Sequence, residues 1–150
     1  MNIKMGHSWT LTSWASEVVP DSGALKLGVD PGGANQLVVW RHDNVQWTSG
    51  LWKNGSFKKA PELTEKSYEF EFKFVTNGYE RYFSYFVKNS SIVAARWEYN
   101  SGKIMYFALV QNNGSRTWRF ATVSPCHNSV EDGSTVCLKQ KPSECRKGSE

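Results

Sequence analysis

Long apolar runs, a signal-peptide core, a basic stripe and catalytic motifs are all missing from this 150-residue chain, and each absence removes a class of protein. No stretch of about 18 apolar residues occurs, so no segment has the composition of a membrane-spanning helix. The opening residues, MNIKMGHSWT, lack the apolar core of a secretory leader, so the chain as written carries no export address. The net charge is only +4, and half of that excess lies in the last twelve residues, KQKPSECRKGSE. The remainder is nearly balanced with no cluster of Lys and Arg on one element, which argues against a nucleic-acid partner. G-x-S-x-G, H-E-x-x-H and phosphate-cradling glycine motifs are absent. His7, His42 and His127 are too scattered for a metal set, and RHD at Arg41–Asp43 reads as a turn carrying a solvated histidine. No catalytic residue, cofactor site or metal site is assigned, and the chain reads as a non-enzyme.

Cysteine is scarce as well. Cys126, Cys137 and Cys145 all lie in the final quarter, and their spacing matches no zinc pattern. Set among Pro, Ser and Gly, they read as disulfide candidates at the opening of a cysteine-rich module, with the odd thiol needing a partner elsewhere. Three N-glycosylation sequons, at Asn54, Asn89 and Asn113, fall in expected turns or at strand ends and favour an extracellular origin.

Aromatic residues, by contrast, are abundant, at 14% with seven tryptophans, and lean toward β-structure. Few windows have helical periodicity. Nine strands are expected instead: SWTLTSWA, GALKLGVD, NQLVVWRHD, VQWTSGLW, YEFEFKFV, YERYFSYFV, IVAARWEY, KIMYFALVQ and RTWRFATV. Turn clusters such as VPDSG, DPGGAN, KNGS, TNG and NNGS separate them. The alternation stops near Ser124, which divides the chain into a β domain at 1–123 and a loop-rich cysteine segment at 124–150. Inward-facing tryptophan is commonly core, so surface stacking is held open for only one or two of the seven.

The densest aromatic stretch, YEFEFKFVTNGYERYFSYF, is expected to form a hairpin with a two-residue type I′ turn at Asn77-Gly78. That register sets Thr76 opposite Tyr79, Phe72 opposite Phe83, and Phe70 opposite Tyr85. Alternation then places Tyr68, Phe70, Phe72, Phe74, Phe83, Tyr85 and Val87 on one buried face. The other face carries Glu69, Glu71 and Lys73, with Tyr82 and Phe86 as the rings left for a ligand.

The ordered blocks LTSWASEVVPDSG, DPGGANQLVVW, WTSGLWKNGSF, APEL and FVTNGYERYFSYF resemble S-locus glycoproteins and the matching region of plant G-type lectin S-receptor-like serine/threonine kinases. The likeness runs from about Met5 to Arg146, and W-x-S-G-x-W-x-x-G-x-F at Trp47–Phe57 is fairly specific to this family. It implies an all-β, antiparallel, bulb-lectin-like β-prism, here most of the second lectin-like domain. CLKQKPSECR resembles the segment before a PAN/apple module. The chain is then expected to begin within a domain, as a fragment or truncated product of a receptor whose kinase it does not include, and a truncated receptor remnant without independent function is a further alternative. The resemblance further implies an extracellular or plasma-membrane location, roles in pollen recognition and cell-surface ligand sensing, and a peptide or protein ligand. A receptor homo- or heterodimer is implied as a partner. Carbohydrate is the alternative ligand, although the mannose pattern Q-x-D-x-N-x-V-x-Y is absent and QLVVW at Gln36–Trp40 keeps only a trace of it. A lectin-like fold does not by itself confer lectin activity.

Overall fold

Alternating apolar residues become antiparallel strands throughout the computed structural model, which describes residues 1–4, 7–16, 18–100 and 103–123. One sheet takes β1 (Asn2–Lys4), β2 (His7–Trp9), β10 (Phe70–Thr76) and β11 (Glu80–Val87) in the order β10-β11-β1-β2. A second runs β3 (Leu11–Ser16), β4 (Val19–Val29), β5 (Leu37–Arg41) and β6 (Asn44–Thr48) in sequence. The third consists of the short strands β7 (Trp52–Lys53), β8 (Ser56–Phe57) and β9 (Ala60–Thr64). The fourth consists of β12 (Ile92–Asn100), β13 (Lys103–Asn112) and β14 (Ser115–Val123). This is the all-β, antiparallel, lectin-like architecture that the sequence implies. Residues 124–150, with Cys126, Cys137 and Cys145, lie outside the described residues.

All four sheets feed one core, because each turns the apolar side of its alternation inward. Leu27, Leu37 and Val39 meet Phe57 and Leu63, then Phe70, Phe72 and Phe83, then Ile104 and Ala108. Phe57 and Phe70 are almost completely enclosed, and each such burial stabilises the fold by about 1.5–3 kcal/mol. Phe57 packs edge-on against Trp52 at 4.7 Å and Phe74 at 6.0 Å, while Phe72 stacks on Phe83 at 5.8 Å.

The nine expected strands are all present, with two of them broken. SWTLTSWA divides at Thr10 into β2 and β3, and VQWTSGLW divides at Ser49–Leu51 into β6 and β7. VPDSG is strand rather than turn. It forms the start of β4, where register shifts against β3 accommodate its extra residues. Gly23 permits this, since a Cβ there would stand 2.3 Å from the Trp14 carbonyl oxygen. Pro20 sits in the same bulged end, which pairs with β3 alone.

The aromatic hairpin forms with a different turn. Thr76 lies opposite Arg81, Phe74 opposite Phe83, Phe72 opposite Tyr85 and Phe70 opposite Val87, leaving a four-residue loop. Neither Asn77 nor Gly78 has a positive φ. Instead the Asn77 side-chain oxygen accepts the amides of Tyr79 and Glu80, both at 2.9 Å, and this side-chain cap replaces the type I′ turn. The register is displaced by two residues, an even number, so the inward face is preserved. Phe70, Phe72 and Phe83 are buried as expected, with Phe74 and Tyr85 half-buried. Tyr68 and Val87 are not: they are 81% and 42% exposed. Tyr68 precedes β10 and Val87 ends β11, so both project beyond the core.

Type I′ geometry occurs at two other Asn-Gly pairs. Asn54-Gly55 joins Lys53 to Ser56 with φ of 53° and 76°, and Asn113-Gly114 joins Asn112 to Ser115 with 46° and 81°.

Candidate functional site

Along β13, Ile104, Ala108 and Val110 point into the core, which leaves Met105, Phe107 and Leu109 on the outer face. Pairing then places Arg96 beside Phe107 and Phe107 beside Phe120. Leu109 lies between Ala94 and Trp118. The Arg96 guanidinium stands 4.8 Å from the centre of the Phe107 ring and 5.9 Å from Trp118, and pairs with Glu98 at 2.9 Å. Such stacking contributes about 0.5–1 kcal/mol at an exposed site and holds the guanidinium in one orientation. Trp118 and Phe120 are nevertheless 54% and 72% exposed. An outer face of Trp, Phe, Leu and a stacked Arg has the side-chain chemistry of a protein-interface core.

A second, more polar feature is a surface cavity of about 320 Å³ lined by Ser8, Thr10, Lys26, Trp40, His42 and Asp43, among others. The Trp40 ring lies close over Gly28, where an added Cβ would stand 3.2 Å from it. His42 and Asp43 form the two-residue loop between the paired Arg41 and Asn44, exposed as the sequence predicts, with His42 at a φ of 55°. Gln36 does not serve this cavity. Its side chain donates to Asp30 at 2.6 Å, and Asp30 also accepts the Gly32 amide at 2.7 Å, which fixes DPGGAN as a turn.

The ligand residues expected from the sequence, Tyr82 and Phe86, both lie on β11 and on the outer side of their sheet, roughly 13 Å apart along the strand. Phe86 is 58% exposed with the Lys73 ammonium 6.0 Å from its ring centre. Tyr82 is half-buried between Val75 and Asn2. Neither lines the cavity around Trp40. Between them, Lys73 and Glu71 form an ion pair at 2.8 Å, which holds the Glu71 carboxyl below its usual range and raises the Lys73 ammonium. The sequon residues Asn54 and Asn113 are exposed at the tips of their hairpins. Asn89 is half-buried in a turn, where its side-chain oxygen accepts the Ser91 amide at 2.9 Å.

The β12–β14 face is not among the sequence-based candidates, because MYFAL is apolar at successive positions and alternation alone marks no outer side on it. It also assigned too many tryptophans to the core: Trp9, Trp14 and Trp118 are all exposed, and only Trp47 is fully enclosed. The signal that could have found the face is RTWRFATV, whose Trp118 and Phe120 alternate with Thr117 and Arg119 at the end of the β region.

The W-x-S-G-x-W-x-x-G-x-F block has an architectural role. Trp47, Ser49 and Phe57 are buried, Gly50 and Gly55 take φ of 68° and 76°, and the Trp52 amide donates to the Asn35 carbonyl at 2.7 Å. Its residues carry the chain from β6 into the third sheet.

The fold is thus a lectin-like all-β module whose exposed features suit recognition. No family model matches the chain. Several curated relatives are G-type lectin S-receptor-like serine/threonine-protein kinases of Arabidopsis thaliana. CES101 is 39% identical over 84 residues, which is 56% of this chain and 10% of that protein. At2g19130 is 31% identical over 124 residues, 81% of this chain and 14% of its own length. At1g61610, a putative member, is 28% identical over 130 residues, 83% of this chain and 15% of its own length. The chain therefore spans only 10% to 15% of the length of these relatives.

Proposed function

We propose that this chain is a non-catalytic extracellular recognition module that binds a peptide or protein ligand. The observation that carries the reading is the outer face of β12–β14, where Arg96 is stacked on Phe107 and Trp118 beside the exposed Phe120. Its relatives are named receptor-like kinases, and the matched portion is a small part of each. Cell-surface ligand sensing, including pollen recognition, and pairing with a second receptor chain are the roles this reading assigns. Cys126, Cys137 and Cys145 are its disulfide candidates, and Asn54, Asn89 and Asn113 its glycan sites.

The test is to pan a displayed peptide library against the secreted chain, with the Trp118→Ala variant as the control. Enriched peptides should lose affinity roughly 30-fold on Trp118→Ala, the size of a hot-spot truncation of about 2 kcal/mol. Peptides that bind both proteins equally, or no enrichment at all, would remove this face from the proposal. Glycopeptide mass spectrometry of the same material tests the compartment: unoccupied sequons with fully reduced cysteines would sink the extracellular reading.

A second reading is favoured by the cavity around Trp40, where one half-buried ring stands among Ser8, Thr10, Lys26, His42 and Asp43. That combination suits a carbohydrate, with the ring under the sugar face and polar groups at its rim. Saturable binding on a glycan array that disappears with Trp40→Ala would establish it, and a blank array would dispose of it.

A further inference from the structure

The chain has three Asn-Gly pairs, at Asn54, Asn77 and Asn113, and each lies in a hairpin loop. Asn54-Gly55-Ser56 and Asn113-Gly114-Ser115 are sequons, whereas Asn77 is followed by Gly78 and Tyr79 and offers no glycan acceptor. The backbones differ too. Asn54 and Asn113 sit in the left-handed region at φ of 53° and 46°, and Asn77 does not. Of the three, Asn77 alone gathers two backbone donors on its side-chain amide among the described residues. Its Oδ1 accepts the N–H of Tyr79 and that of Glu80, both at 2.9 Å.

An oxygen held by the amides two and three residues ahead curls the side chain forward. The Asn77 Cγ therefore lies over the peptide nitrogen of Gly78, the arrangement that ring closure between these two atoms requires. The same two N–H groups meet the negative charge that develops on Oδ1 as Cγ becomes tetrahedral, so they form a small oxyanion hole. Gly78 supplies the attacking nitrogen. It has no side chain to crowd the approach, and its N–H donates to no acceptor among the described residues. Asn77, Gly78 and Tyr79 are all exposed, so water reaches them.

We infer that Asn77 is a site of spontaneous deamidation in the folded chain, with the Gly78 amide as nucleophile and water as co-reactant. The Gly78 nitrogen gives its proton to hydroxide and bonds to Cγ. The Cγ–Nδ2 bond then breaks, and Nδ2 takes a proton from water and leaves as ammonia. Water opens the resulting succinimide at one of two bonds. Breaking the new Cγ–N bond leaves aspartate, whose carboxylate still accepts both amides. Breaking the original peptide bond leaves isoaspartate, in which the main chain runs through Cβ and Cγ. That adds a carbon to the backbone and removes the side-chain cap. It also displaces the bond from the Asn77 amide to the Glu80 carbonyl, 3.0 Å long, and the Thr76–Arg81 pair beside it. The tip of the aromatic hairpin is loosened, and the β12–β14 face takes no part.

The test ages the full chain at mildly alkaline pH, once folded and once unfolded in urea. It is produced without glycans, so that Asn54 and Asn113 remain free for comparison. Cleavage after Lys73 and Arg81 releases residues 74–81, in which Asn77 is the sole asparagine, for mass spectrometry. In the folded protein Asn77 is expected to convert roughly tenfold faster than Asn54 or Asn113, an advantage that urea abolishes. The product should be a mixture of aspartate and isoaspartate, the latter labelled by an isoaspartyl methyltransferase. Gly78→Ala leaves the cap in place but crowds the nucleophile, and should slow conversion severalfold. Tyr79→Pro removes one of the two donors and should bring the folded rate down toward the unfolded one. If that variant disturbs the hairpin, the folded-to-unfolded ratio of the parent chain decides alone. Conversion of Asn77 that is slower folded than in urea overturns the proposal, because the cap would then be protective. Equal rates at the three folded Asn-Gly pairs overturn it as well. So does a product that is aspartate only, since direct hydrolysis would then bypass Gly78.

Discussion

The hydroxyl of Ser49 accepts the amide proton of Leu37 at 2.9 Å, and the amide of Ser49 donates back to the Leu37 carbonyl at 2.9 Å. Both residues are completely buried, so this side chain carries the β5–β6 ladder one step past the end of β6. Ser49→Ala would leave the Leu37 N–H without a partner in a site that excludes water. The expected loss is about 1–3 kcal/mol, the cost of an unsatisfied buried donor. Urea denaturation should show a lower midpoint with an unchanged slope. A midpoint equal to that of the parent protein would mean the hydroxyl is dispensable.

Three glycines should respond differently to alanine. Gly55 and Gly114 take φ of 76° and 81°, where an L-residue costs about 1–2 kcal/mol. Gly55 carries an added penalty, because its Cβ would approach the Glu65 carboxylate at 2.7 Å, whereas Gly114 has open space around it. Gly78 has open space and no positive φ, so Gly78→Ala should stabilise by about 0.4–1 kcal/mol through the unfolded chain. Thermal melts should therefore rank Gly78→Ala at or above the parent, then Gly114→Ala, then Gly55→Ala. A strongly destabilised Gly78→Ala would restore the type I′ turn expected at Asn77-Gly78.

The same hairpin shows what the sequence can and cannot reveal. Period-two alternation placed Phe70, Phe72 and Phe83 inside, and a register displaced by two residues left that placement intact. The turn departs from the expected type I′ form because the Asn77 side chain caps a longer loop, which the dipeptide Asn77-Gly78 alone does not show. Tyr68 and Val87 are exposed rather than buried for another reason: alternation assigns a face but does not say where the core ends. β8, which no expected strand covers, has two residues, too few for any periodicity to register. The β12–β14 face was illegible because exposure depends on whether another layer covers a sheet, which is a property of the assembled fold.

Aromatic residues at the core and on the outer face should separate cleanly by stability. Phe57 is enclosed among Trp52, Phe74 and Phe83, so Phe57→Ala should cost about 3–5 kcal/mol. Phe120 is mostly exposed, and Phe120→Ala should stay within about 0.5 kcal/mol of the parent. Chemical denaturation of the two variants checks this. A comparable loss from Phe120→Ala would mean that the outer face is maintained for stability rather than for contact with a partner.

Glu69 joins two sheets by accepting the Tyr106 hydroxyl at 3.0 Å on one oxygen and the Arg119 guanidinium on the other. Burial raises the Tyr106 pKa, the neighbouring carboxylate raises it further, and Arg119 partly opposes them. The folded protein thus holds this phenolic proton more tightly than the unfolded chain, where tyrosine titrates near pH 10. The resulting stabilisation is fully present below about pH 10 and is lost as the pH climbs through the raised folded-state value. Tyr85 is raised by burial as well, but it remains in both proteins when the parent is compared with Tyr106→Phe. At pH 8 the variant should be less stable by about 1 kcal/mol, the net worth of one hydrogen bond. From pH 10 to 12 the two melting curves should converge, and the absorbance titration at 295 nm should lose one late step. Melting temperatures that stay parallel across this range would show that the Tyr106 proton is not linked to folding.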